Sequence, residues 1–443
     1  MKTRCRNGLW SSILICGIVL LSGGCLFTPT PPPVSALPTE TPPTLAMPVS
    51  TPKAAATSVS PGAPQTLTVW ITELLSPTEG GDRSRIFEQQ ILAFEATHPG
   101  LTVQVLHKAP DGKGGMQDLL ATASTAAPGV IPDLIAIDTR NLEEVARKGL
   151  VVPLDAFLSP SLQADLYPFA IAAGTVDGQL VGVQFEVSIQ HAIYNTSKIA
   201  VAPVTWEEVF ASGATYTFPT AGQDGLVNDA FLIQYLSTGV ELMDSSGDPY
   251  LDRQALTEVL EFYRQGIENG AIPSEVLNYA TVESGWPKYL QAEVVMTHIS
   301  SKLYLTGPDS LPGHRPAAIP TRDGQAVALS RGTAWAVTSR DPNRQVLAIK
   351  LLEWLMNPVN MAAWSQAASY LPTRRAVFEQ MTRDTYVSFV YTQLEHAVPY
   401  RSSEAHQRIY RAMQQAVDAV LREGVLPTVA AQNVLKAINQ ESL

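Results

Sequence analysis

Cysteine is almost missing from this chain: Cys5, Cys16 and Cys25 are its whole complement, and all lie at the start. Nothing beyond residue 25 can form a disulfide or a thiolate metal site, so the body must be held by its hydrophobic core alone. Catalytic signatures are lacking too. There is no HExxH, no G-x-S-x-G and no P-loop, and DGKGG (Asp111 to Gly115) has the wrong spacing and reads as a turn. The seven histidines are scattered without metal-ligand spacing, so neither a metal nor another cofactor is implied. A basic excess is absent: 30 Lys and Arg stand against 41 Asp and Glu, a net charge of −11. That balance excludes nucleic acid as a partner and gives no basic patch for anionic substrates.

What is there begins with an export signal. Lys2, Arg4 and Arg6 precede an apolar stretch from Leu9 to Leu21, which is too short to span a bilayer. Ser22, Gly23 and Gly24 then lead to Cys25. The run resembles the bacterial lipoprotein signal, with Ser22 where that motif most often has Leu, and the resemblance implies a lipid on Cys25 after removal of residues 1–24. The alternative is an ordinary signal peptide in which Cys25 is incidental. From Leu26 to Gln65 the composition turns to Pro, Thr, Ser and Ala, too poor in large apolar residues to offset its ordering entropy. Residues 25–65 read as a disordered tether that would reach about 120 Å as polyproline II. A glycosylated mucin-like stalk is the other reading of that composition.

The body from Thr66 reads as α/β. TLTVWI (66–71), LTVQVLH (101–107) and LIAI (134–137) alternate or run apolar as strands. Between them SRIFEQQILAFEATHPG and MQDLLATAST carry apolar residues at helical spacing, and NLEEVARKGL follows as a third helix closed by Gly149. Strand and helix in alternation imply a parallel sheet, whose ligands gather at the carboxyl ends of the strands. Glu73, just past the first strand, and Asp138, at the end of the third, therefore share one rim. The alternative for Asp138 is the N-cap of the helix beginning near Asn141.

The stretch DGQLVGVQFEVSIQHAIYN, Asp177 to Asn195, opens on a turn signal and continues through more extended positions than one ordinary strand needs. Two consecutive strands of one sheet would account for it. So would a strand that leaves one domain and enters another, with polar Glu186, Ser188 and Gln190 facing a cleft.

LTVW, FEATHPGLTVQV, PDLIAID, KGLVVPLDAFL, LYPFAIAAGTVDGQLVGVQF, IYNTSKI with VTWEEV, AEVVMTHIS and SYLPTRRAVF occur in this order. With them the body resembles the family 1 extracellular solute-binding proteins, the maltodextrin-binding-protein-like sugar receptors of ABC importers. The resemblance covers nearly all of 66–443. It implies a periplasmic-binding-protein-like type II fold, with two α/β lobes joined by crossovers and the solute between them. Crossovers fall at Phe185 to Gln190, near Leu329 to Gly332 and near Tyr370 to Thr373. Lobe 1 is then 66–186 plus 330–370, and lobe 2 is 190–328 plus 373–443. The implied role is a monomeric, membrane-tethered receptor that is not an enzyme. It captures a small sugar-like solute by closing and hands it to permease subunits in the membrane.

For recognition the candidates are Trp70, Glu73, Asp138, Thr139, Phe185, Glu186, Ser188, Asp229, Ser300, Arg331, Trp335 and Tyr370. Carboxylates and Arg331 would fix polar groups and the aromatics would stack on a sugar face. Trp70 and Trp335 also suit a core. Aromatics at 7% are sparse for a receptor of long oligosaccharides and favour a small ligand or a different solute. Two other classes compete. Paired carboxylates among Glu73, Asp138 and Glu186 are the minimum for glycoside hydrolysis, and a tethered adhesin or sensor ectodomain could use the same fold without a permease.

Overall fold

The computed structural model describes residues 65–72, 81–307 and 313–441. The export signal, Cys25, almost all of the tether and Glu73 lie outside them.

Strand β1 (Gln65–Thr72) runs between β2 (Leu101–Lys108) and β3 (Leu134–Asp138), parallel to both. Helices α1 (Asp82–Thr97) and α2 (Met116–Ala126) make the return crossings. Phe87, Ile91 and Phe94 of α1 bury on one face of this sheet, and Met116 and Leu120 of α2 bury on the other with Ile135 and Ile137. Helix α3 (Thr139–Arg147) starts two residues before Asn141, because Asp138 itself accepts the Arg140 N–H as N-cap. Gly149 follows its C-terminus at φ 65. After α4 (Pro160–Asp165) and α5 (Pro168–Gly174), hairpin strands β4 (Thr175–Val176) and β5 (Gln179–Leu180) meet at Asp177 and Gly178. Both tip residues have positive φ, 48 and 79, as a two-residue hairpin loop requires.

Next comes β6 (Val183–Asn195), one continuous strand of 13 residues. The chain continues through α6 (Trp206–Ala211), β7 (Tyr216–Thr217), α7 (Asp229–Leu236), α8 (Arg253–Glu268), α9 (Trp286–Leu290) and β8 (Met296–Ser300). Helix α10 (Ser301–Thr306) and strands β9 (His314–Ala317) and β10 (Ala328–Val337) follow. The remainder is α11 (Pro342–Leu355), α12 (Pro358–Ala368), β11 (Leu371–Pro372), α13 (Thr385–Gln393), β12 (Ala397–Pro399), α14 (Glu404–Leu421) and α15 (Pro427–Glu441). Proline opens five of these helices, where its missing N–H costs nothing.

The sheet order β2-β1-β3-β10-β6-β8-β7 makes β6 and β10 the strands that join two halves. Up to Ile189, β6 pairs antiparallel with β10 and buries into a first core with Leu67, Phe94, Trp335 and Leu352. From Gln190 it pairs with β8, and Ala192 and Tyr194 enter a second core. Tyr216, Phe231, Leu256, Tyr263, Met413 and Val417 fill that second core, from β7, α7, α8 and α14. Each such side chain contributes about 1.5–3 kcal/mol by leaving water. One strand serving two cores is the two-lobe arrangement. At the passage β6 and β10 approach closely, so that a Cβ on Gly332 would lie 2.0 Å from the Glu186 carbonyl oxygen.

The third passage differs from expectation. The family resemblance places residues 375–394 in lobe 2, but Val377, Phe378, Tyr386, Val390 and Leu394 bury in the first core with Tyr167 and Phe169. Arg374 pairs with Asp165 and Arg375 with Glu395, fastening this segment beside α4 and α5. The chain rejoins the second core only at β12, which pairs with residues 328–330 of β10, and at Tyr400. The motif SYLPTRRAVF marks where β11 pairs with β6, and the apolar side chains after it settle on the nearer core.

Candidate functional site

The carboxyl end of β3 and the crossover strands form one rim. Asp138, Thr333 and Glu186 stand opposite one another on β3, β10 and β6, and Pro372 of β11 faces Glu186 from the other side. One step further, Ser188 faces Arg331. The register slips by one residue at Thr333 and Ala334, which leaves Phe185 as the extra residue of a β-bulge. A bulge re-aims side chains, and here both Phe185 and Glu186 reach Trp364 of α12.

Two groups of polar side chains line the passage. In the first, the Arg331 guanidinium donates to both oxygens of Asp229 at 2.7 and 2.5 Å and lies 3.5 Å from the Tyr400 ring centroid. Asp229 opens α7 in the second half, so this pair ties a crossover strand to it. Gln190 Nε2 points at the same carboxylate from 3.5 Å, and its Oε1 is buried without a partner among the described residues. Arg140 forks both oxygens of Asp138 and is near enough to Arg331 to be repelled by it. Ser402, just past β12, donates to the Arg140 carbonyl at 2.6 Å.

The second group surrounds Glu186. Its carboxyl is buried and accepts from Thr333 Oγ1 at 2.7 Å and Trp364 Nε1 at 2.9 Å. Burial pushes its pKa up, against those two donors and the charges of Lys302 and Arg83. Lys302, on the first turn of α10, donates to the Tyr370 hydroxyl at 3.0 Å and sits 4.6 Å from its ring centroid. Ser188 Oγ lies 3.3 Å from Ser301 Oγ beside them.

Asp138, Thr139, Glu186, Ser188, Asp229, Arg331 and Tyr370 thus gather at or beside the passage. Others sit elsewhere. Trp70 is 4% exposed in a core on the outer face of the first sheet, under Lys108. Trp335 stacks between Phe87 and Phe185 at centroid distances of 6.2 and 4.8 Å, so both Trp335 and Phe185 are core side chains with no face left for a ring. Ser300 spends its hydroxyl as the N-cap of α10. His298, at the same strand end, is buried against Tyr216 in the second half. Among the described residues no group of His, Cys, Asp and Glu could hold a metal ion.

A family model for bacterial extracellular solute-binding proteins matches residues 89–387. The chain belongs to that family. No curated protein matches it by sequence. Solved structures agree on the fold of this solute-binding protein. Maltose-bound MalE3 of T. maritima aligns with TM-score 0.63 at 19% identity, over 85% of this chain and 99% of that one. The sugar-binding protein MalE of Xanthomonas citri gives 0.70 at 19%, over 85% and 96%. The cyclic α-maltosyl-1,6-maltose binding protein of Arthrobacter globiformis gives 0.68 at 17%, over 85% and 99%. Members of the family bind solutes outside the cell and are not enzymes, and no described helix is long and apolar enough to cross a membrane.

As a binding site the passage offers strong acceptors and donors that are already oriented, since two carboxylates and two guanidiniums fix one another. Hydrolysis asks for a free carboxylic acid beside a second carboxylate, whereas both oxygens of Glu186 are engaged and Asp138 and Asp229 are forked by arginines. Arg140, Lys302 and Tyr400 were absent from the sequence-derived candidates. Lys302 was within reach of the same rule that chose Ser300, being two residues past a strand end. Tyr400 carried no signal, because only the late return of the chain at β12 brings it to Arg331.

Proposed function

We propose that this solute-binding protein is the lipid-anchored receptor of an ABC importer, capturing a small sugar-like solute between its two halves and delivering it to permease subunits. The observation that carries the reading is the crossover itself. Polar, mutually oriented side chains from β3, β6, β10, α7 and α10 converge where two cores are joined by few strands. A solute touching both sides stabilises the closed arrangement, because those contacts exist only there. That MalE3 of T. maritima is maltose-bound and MalE of Xanthomonas citri is a sugar-binding protein supports a sugar. In this reading Asp138, Ser188, Asp229 and Arg331 hold hydroxyls, Tyr370 supplies a ring face, and Thr139 lies on the rim beside them. The lobes are 66–186 with 330–396, and 190–328 with 397–443. Cys25 carries the lipid, and residues 26–65 let the body move near the membrane to meet its permease. The receptor acts as a monomer.

Calorimetric titration with sugars and polyols tests the capture. Saturable binding of a sugar that Arg331→Met weakens tenfold or more is expected, and cleavage of a glycan in the same samples would overturn the receptor reading. For the anchor, Cys25→Ser should move the protein from the membrane fraction to the soluble one, and unchanged fractionation would overturn it.

A further inference from the structure

Not every cation at the passage is paired with a carboxylate. Arg140 is matched by Asp138 and Arg331 by Asp229, each through a two-pronged fork. Lys302 has no such match. Among the described residues no carboxylate pairs with its ammonium, whose contacts are the hydroxyl and ring of Tyr370. Glu186 feels its charge, but both of that group's oxygens are already taken by Thr333 and Trp364. Lys302 is half-buried, and Tyr370 holds it from across the passage. A side chain this flexible would otherwise trail into water, where an ammonium is best hydrated. One N–H goes to the phenol, which leaves two unspent, and a half-buried cation without a counter-charge is costly unless a ligand supplies one.

We propose that the solute is an acidic sugar whose carboxylate or phosphate is received by Lys302. The inference rests on the sugar-receptor reading above and narrows it. Lysine suits this task as a compact point charge that takes a single oxyanion of either kind, whereas planar bidentate recognition is the habit of the two arginines. Composition alone argues the other way, since a net charge of −11 offers no basic patch. The exception is local, and made by one residue whose partner is a phenol.

The test titrates the purified protein with three sets of probes: glucuronate and galacturonate oligosaccharides, hexose phosphates, and the matching neutral sugars. An acid should bind at least tenfold more tightly than its neutral counterpart. That preference should collapse in Lys302→Gln, with the loss of affinity for the acid at least fivefold greater than any loss for its neutral counterpart. The carboxylate and phosphate arms tell which anion is meant. Two outcomes overturn the inference and leave the receptor reading intact: neutral sugars binding as tightly as the acids, or Lys302→Gln weakening both equally, as a mere strut between α10 and β11 would do. Binding of none of the three sets overturns both. Tyr370→Phe keeps the ring but drops the phenol, and should retain at least half of the logarithmic preference if Lys302 is the recognising group.

Discussion

Removing Asp229 should expose how much of the site is held together by the Arg331 fork. The two side chains are 36% and 11% exposed, neither buried nor free. Breaking a fully buried pair costs about 3–5 kcal/mol, because a charge is stranded, and breaking an exposed one about 0–1 kcal/mol. An intermediate site should lose about 2 kcal/mol in Asp229→Ala. Part of that is independent of Arg331, since Asp229 sits in the first turn of α7 and interacts with the helix dipole for about 0.3–1 kcal/mol. Arg331→Met removes the stranded cation and keeps an apolar stem on the Tyr400 ring. The double variant should therefore regain stability relative to Asp229→Ala, with a coupling of about 1–2 kcal/mol. Urea melts of the four proteins provide the cycle, compared at unchanged m-value. Additivity within about 0.5 kcal/mol would refute the claim that the fork orders this side of the passage.

Asp138→Ala should cost about 1 kcal/mol of stability through loss of the α3 cap and lower sugar affinity about ten- to a hundredfold. Asp138→Asn, which can still cap, should do less of both, by melt and by titration. His191 and His298 are buried, and burial lowers their pKa values to about 4 and about 3. In the unfolded chain both return to about 6.5, so that state binds more protons and stability should fall as pH drops from about 6.5 to about 4. The slope is at most about 1.4 kcal/mol per pH unit for each ring. His191→Phe should flatten it in a pH series of melts. Gly332→Ala should cost about 1–3 kcal/mol in a melt, because its methyl would have to displace the Glu186 carbonyl.

Much of the fold was legible because its signals are local. Alternation in LTVQVLH, the continuous apolar run LIAI, helical spacing in α1 and α2 and the Asp177–Gly178 turn each depend on residues a few positions apart. The long extended stretch was legible as an anomaly, and its resolution is a single strand buried first in one core and then in another. The site was legible only in part. Strand ends were enough to choose Asp138, but α7 with Asp229, β12 with Tyr400 and α10 with Lys302 come together across distances that no window sees. Phe185 and Trp335 were open to more than one reading for the same reason. An aromatic residue near a strand end does not say which face it takes, and the bulge at Phe185 stacks it against Trp335 inside the first core. The segment after Tyr370 followed its apolar side chains to Tyr167 and Phe169, a packing decision without a sequence marker.

Capture by closure is the central claim, and small-angle scattering measures it directly. The protein would be recorded alone and at a sugar concentration that calorimetry has shown to saturate it. A smaller radius of gyration with the sugar is the result expected of two halves closing about β6 and β10. Superimposable curves at full saturation would contradict the account and place the ligand in a rigid pocket within one half.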